Sequence, residues 1–272
     1  MNLILEEWHQ FCKSIDSDRC YTVSELPLLS DSVKWIAIKH DVETNVKKAL
    51  KIAEIEAQHK VRATFYIQSY LLEDNCNLLN KISNLGHEVT YHYDVLDSNA
   101  GDMKKALNEF STTIKKFKEL GFSVTSVCPH GNPMMSREGW SSNKDFFRNK
   151  EIAKEFSEIF DIVVQGKEKI SGKYKYISDA GYGFKVIADI LNNDKIPNED
   201  ILIENIEDLL DTTKSRYSVV VSTHPHRWNS SLFSAKFVKY RFMFIRKVAL
   251  LASKSKFLKK IMSKFYFLAK KI

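Results

Sequence analysis

Short apolar runs alternate with helical patterns along most of the chain. Trp35-Ile36-Ala37-Ile38 is a continuous apolar run and predicts a buried strand. Val46, Ala49, Leu50, Ala53 and Ala57 then share one face of a helix over about 46–60. Ala63-Thr64-Phe65-Tyr66-Ile67 predicts the next strand, followed by a helix around 78–85 that stops at Gly86. His87 to Tyr93 predicts a third strand, and a long amphipathic helix over about 102–120 ends at Gly121. Further strands are expected at 123–127, 159–164, 174–177 and 217–221, with a helix at about 204–212 before the last. Strands that alternate with helices imply a parallel sheet. The expected fold is α/β: a distorted or incomplete (β/α) barrel over residues 1–228, with an N-terminal helix. A doubly wound open sheet is the alternative. Residues 229–272 form a separate basic amphipathic helical tail in this reading.

Polar side chains suited to chemistry fall where these apolar runs end. Lys39-His40-Asp41-Val42-Glu43 follows the first run, and the third strand carries His87 and His92 before Asp94. Cys128-Pro129-His130, Ser178-Asp179 and Ser222-Thr223-His224 follow three others. Parallel strands share one C-terminal rim, where barrel enzymes place their active sites. Taken singly, each residue has a plain alternative: Asp41 a cap, His87 a core histidine, Asp179 a turn residue. Carboxylates with imidazoles suit Zn²⁺ or another first-row divalent ion (Co²⁺, Ni²⁺ or Mn²⁺), which polarises a carbonyl and acidifies water. No phosphate-binding glycine loop and no Gly-x-Ser-x-Gly elbow occurs, which speaks against nucleotide hydrolysis and serine esterases.

Composition narrows the class further. The chain has 272 residues, 44% of them hydrophobic, enough for one large domain. Its four cysteines, Cys12, Cys20, Cys76 and Cys128, form no Cys-x-x-Cys pair, so reduced thiols are expected. The net charge of +7 is uneven: residues 229–272 hold twelve Lys/Arg and no Asp or Glu, leaving 29 basic against 34 acidic residues before them. Nucleic acid is therefore not the expected partner of the body. No export-signal pattern and no apolar run of membrane-spanning length is present, which predicts a cytoplasmic location. In the tail, Phe237, Tyr240, Phe244, Val248 and Leu251 recur at helical spacing, as do Phe257, Ile261, Phe265 and Leu268. Two expectations follow for residues 236–271: a peripheral contact with an anionic membrane surface, or packing of the aromatic stripe on the barrel or a second subunit.

Four pieces resemble the polysaccharide deacetylases, the metal-dependent carbohydrate esterases of the nodulation-deacetylase type. They are Ile38-Lys39-His40-Asp41-Val42-Glu43, Arg62-Ala63-Thr64-Phe65-Tyr66-Ile67, Gly86-His87-Glu88-Val89-Thr90-Tyr91-His92 and Val220-Val221-Ser222-Thr223-His224-Pro225. The resemblance runs from about 35 to 228. It implies Asp41 as general base, His224 as general acid, and Glu43 and His92 as metal ligands. Glu43 stands where the family has a second Asp, and Leu96 where its second motif ends in His. A further ligand is then expected from His87 or His130. Asp179 and Trp228 are expected to bind substrate. The implied activity is hydrolysis of an N-acyl group from an amino sugar or glycan precursor, in cell-surface polysaccharide assembly. The alternative is an inactive carbohydrate-binding scaffold that docks on membrane polysaccharide machinery.

Overall fold

The computed structural model describes residues 2–132, 135, 137–195, 201–214 and 217–252. Seven parallel strands form its centre: β1 (Ile36–Val42), β2 (Ala63–Ile67), β3 (Glu88–Tyr93), β4 (Ser126–Pro129), β5 (Phe160–Asp161), β6 (Tyr174–Ser178) and, later in the chain, β9 (Ser218–Thr223). Two short antiparallel strands, β7 (Lys185–Ile187) and β8 (Ile201–Leu202), extend one edge. The order is β5-β4-β3-β2-β1-β9-β6-β7-β8, and the two edges do not meet.

Period-two alternation gives the sheet two faces with different contents. Ile36, Ile38, Val42, Phe65, Tyr91, Val127, Ile177, Val219 and Val221 face the outer core. The helices Leu5–Ser14, Val46–Gln58, Cys76–Asn84, Met103–Glu119 and Ile206–Lys214 all bury their apolar sides there, through residues such as Trp8, Ala49, Ile82, Phe110 and Leu209. Trp35, Ala37, Tyr66, Cys128, Tyr176 and Val220 face the other way, into a smaller core. That core is stoppered by Val23 and Leu26 of the 3-10 segment Val23–Leu28. Glu88 ties the stopper down: it accepts from Ser24 N at 3.2 Å and from the Thr64 hydroxyl at 2.7 Å, while Thr64 accepts from Val23 N. Helices on one face and a plugged interior on the other make an incomplete barrel rather than a doubly wound sheet.

The helix boundaries follow from local chemistry. Asn45, in the left-handed region at φ 50°, starts the first crossover helix and accepts from Lys48 N. Gly86 and Gly121, at φ 93° and 88°, follow two helix ends where a side chain would be strained. The final helix, Leu232–Ala252, packs on the body through Ala235, Val238 and Phe242. Residues 253–272, with Phe257, Ile261, Phe265 and Leu268, lie outside the described residues. Among the described residues no helix is long and apolar enough to cross a membrane, and all four cysteines are free.

Candidate active site

The inward positions of adjacent strands carry the polar residues to one rim. Along β1 the inward series is Ala37, Lys39, Asp41, and the strand's exit then delivers Glu43. His92 lies on β3 directly opposite Cys128 of β4, and His130 follows two residues later. His224 follows β9, two positions beyond Ser222, which pairs with Lys39. Glu43 is the meeting point. Its Oε1 lies 3.2 Å from His130 Nε2, 3.6 Å from His224 Nε2 and 4.0 Å from His92 Nε2. Burial would raise the Glu43 carboxyl, but His130 first, with His224 and His226, holds it well below the usual carboxylate range.

His92 presents an unused ring nitrogen to this group. Its Nδ1 donates to the Cys128 carbonyl at 3.0 Å, which fixes the tautomer and leaves a lone pair on Nε2. That Nε2 is buried and has no hydrogen-bond partner among the described residues. Burial lowers the His92 pKa to about 4, against the pull of Asp41, so the ring is neutral near pH 7. His130 is held by its backbone: its N–H donates to Tyr93 O at 2.7 Å and its carbonyl accepts from Asn143 at 2.9 Å. Asn143 in turn accepts from the N–H groups of Leu96 and Asp97.

Two groups of three side chains among the described residues bring ligand atoms within 4.8 Å of one another: Glu43, His92 and His130, and Asp41, His92 and Cys128. The second already holds a cation. Lys39 is wholly buried, with Nζ 2.5 Å from Asp41 Oδ1 and 3.2 Å from Cys128 Sγ, over the Tyr66 ring. Burial opposes the charge on Lys39, but Asp41 first, with Cys128 and Tyr176, holds its pKa above the ordinary value. Burial likewise pushes the Cys128 thiol up, away from thiolate. The donor set that fits a divalent ion is therefore two imidazoles and a carboxylate, with an orphaned lone pair on His92.

Asp41 and His224 face each other across this group. His224 Nε2 is 3.9 Å from Asp41 Oδ2, which also lies 3.5 Å from the Ser222 hydroxyl. Burial would raise the Asp41 pKa; Lys39, His92 and His224 reverse that and lower it. His224 is oriented from behind. Its Nδ1 donates to Asp179 Oδ1 at 2.5 Å, and its backbone N–H donates to Oδ2 at 2.9 Å. Asp179 also accepts from the Thr223 hydroxyl and from Arg227. These partners overcome desolvation and keep Asp179 ionised, well below the usual range.

Three sequence-predicted site residues lie elsewhere. His87 is on the outer face, the consequence of its odd spacing from His92 on a regular strand. Both its nitrogens are used: Nδ1 accepts from Ala63 N at 3.1 Å and Nε2 donates to Ala53 O at 3.0 Å. His87→Ala is expected to cost about 1–3 kcal/mol in urea unfolding while leaving metal content unchanged. A folded variant that loses metal would return His87 to the site. Asp179, expected on substrate, has no exposed surface and holds His224 instead. Trp228 is also buried; its indole N–H donates to Thr223 Oγ1 and its ring packs against Trp8 at 4.9 Å, on the helix side of the sheet. Neither can touch a substrate without the fold opening.

Sequence reasoning assigned no role to Lys39, Arg227 or His226. His226 stands beside His224, ring centroids 5.8 Å apart, and burial lowers its pKa to about 4. The Lys39–Asp41 pair was legible in principle, since residues two apart on a strand share a face.

No protein-family model matches the sequence, and no curated protein sequence does. Solved structures with a similar fold include a carbohydrate esterase family 4 pseudoenzyme from Bacillus anthracis, 15% identical, with 79% of this chain and 62% of that one covered and a TM-score of 0.46. A family 4 carbohydrate esterase from Streptomyces lividans is 14% identical over 74% of this chain and 83% of its own, at a TM-score of 0.43. A peptidoglycan deacetylase from Bacillus subtilis is 17% identical over 80% of this chain and 99% of its own, at a TM-score of 0.40. The chain thus spans less than two thirds of the Bacillus anthracis protein.

Proposed function

We propose that the protein is a metal-dependent hydrolase that removes an N-acyl group from an amino sugar or glycan precursor. One observation carries the reading: Glu43 Oε1 lies within 4.0 Å of the Nε2 atoms of His92, His130 and His224, brought from three separate strand ends. Glu43, His92 and His130 would hold the ion. A divalent ion there supplies Lewis-acid polarisation of an amide carbonyl, zinc being the best match to the donors. Asp41, kept ionised by Lys39, accepts the proton of the attacking water. His224, aligned by Asp179, is the general acid that donates a proton to the departing amine nitrogen. The carbon–nitrogen bond of the amide breaks, and a carboxylate and a free amine leave. Residues 1–228 form the hydrolase unit in this reading, and the substrate is a nucleotide- or lipid-linked amino sugar on the cytoplasmic side.

A second reading has its own support. Lys39 Nζ at 2.5 Å occupies one oxygen of Asp41 and weakens it as a base. A barrel that binds sugar without hydrolysing it would look the same at this position. Acetate release from N-acetylated amino-sugar oligomers by the zinc-loaded protein separates the two. Release that falls by about 10²–10⁴ in Asp41→Asn supports the hydrolase. Sugar binding without release, or release indifferent to Asp41→Asn, supports the scaffold.

A further inference from the structure

The helix Leu232–Ala252 has two apolar sides, and only one of them meets the body. Ala235, Val238 and Phe242 pack inward, Phe242 against the Tyr182 ring at 4.6 Å. Phe233, Phe237, Tyr240 and Phe244 are 82%, 61%, 68% and 68% exposed. Their spacing of four, three and four residues places them in one stripe about 60° wide, on the side roughly opposite the packed residues. Four large aromatic side chains in water along a single line need a partner.

Charge identifies the partner. Lys236, Arg241 and Lys247, all exposed, flank the stripe. The whole segment 229–272 has twelve Lys/Arg and no acidic residue. A second copy of this helix would bring like charges together without a compensating carboxylate. An anionic lipid surface meets both demands, since aromatic rings enter the headgroup region while flanking lysines and arginines face the lipid phosphates. We propose that the stripe Phe233-Phe237-Tyr240-Phe244 docks the protein on an anionic membrane surface, lying in its plane. The inference stands apart from the hydrolase reading. The helix nevertheless sits beside the rim: Phe242 meets Tyr182, whose ring lies under the Arg227 guanidinium, and Arg227 holds Asp179 behind His224.

The test is co-sedimentation of the full-length protein with phosphatidylglycerol vesicles and with phosphatidylcholine vesicles. Binding to the first, and weak or no binding to the second, is expected. Raising salt from about 0.1 M to 0.5 M should weaken it, because screening shortens the reach of the charges. Phe237→Ser/Tyr240→Ser/Phe244→Ser replaces exposed side chains only, and should lower vesicle partitioning at least tenfold without altering metal content. Failure of the wild type to bind, or equal binding by the triple variant, overturns the proposal. So does a concentration-dependent dimer in sedimentation velocity that the triple variant abolishes, since that assigns the stripe to a second copy.

Discussion

Glu43→Ala is expected to reduce bound zinc from about one equivalent per chain to a small fraction of that, because a site of three protein ligands cannot spare its only carboxylate. Inductively coupled plasma analysis after dialysis measures it. The expectation rests on the way Glu43 Oε1 gathers His130, His224 and His92 at 3.2–4.0 Å. Asp41, the other carboxylate near His92, is already held by Lys39 Nζ at 2.5 Å. His92→Ala should have the same effect by a different route. It removes Nε2, whose lone pair is preset by the Nδ1–carbonyl bond and has no hydrogen-bond partner among the described residues. Loss of metal by both variants with an unchanged circular-dichroism spectrum separates ligation from folding. Full zinc retention in either would remove that residue from the metal group.

The second large effect concerns Lys39. Lys39→Met should destabilise the protein by about 3–5 kcal/mol at neutral pH, because it strands the buried Asp41 carboxylate without its cation. Lys39→Met/Asp41→Asn should recover most of the loss, since neither side chain then carries charge; the difference is the coupling energy of the pair. The dependence on pH has a definite sign. With Lys39 present, the folded Asp41 pKa is depressed, so its stabilisation is present above the unfolded pKa and fades as pH falls. Without Lys39, only the imidazoles of His92 and His224 still offset the burial of the Asp41 charge, so the stabilisation above the unfolded pKa is diminished or lost. The gap between wild type and Lys39→Met should therefore be wider at pH 8 than at pH 4.5 in urea unfolding. An equal gap at both would mean that Asp41 is not the partner that matters.

Much of this architecture was readable from the sequence because it rests on period-two alternation. The seven parallel strands fall on the seven apolar segments, with ends displaced by a few residues where short polar stretches still pair: β1 runs on through Lys39, His40 and Asp41 to Val42. Those three residues are polar, yet they are buried between neighbouring strands on both sides. β7 and β8 left no trace, since strands of three and two residues have no periodicity to detect. The same alternation explains His87 and His92, whose odd spacing put one histidine in the helix-side core and the other at the rim.

The site was legible as a list of strand ends and illegible as a division of labour. That Asp179 lies behind His224 depends on the loop after β6 reaching Thr223 and Arg227, which no local pattern encodes. Lys39 received no role from the sequence because lysine in a strand normally marks an edge or solvent-facing position. Here it faces inward, and the ion pair with Asp41 makes that tolerable. In the tail, the sequence offered two expectations for one aromatic pattern. The described helix packs on the body through Val238 and Phe242, which lie outside that pattern, while Phe237, Tyr240 and Phe244 of the pattern are exposed.

Crystals grown with zinc, with anomalous scattering recorded at the zinc edge, put the central claim to its most direct test. The account predicts one peak about 2.0–2.2 Å from the Glu43 carboxylate and from the ring nitrogens of His92 and His130. A peak lodged between Asp41 and Cys128 in place of the Lys39 ammonium, or no peak near Glu43 at all, would contradict it.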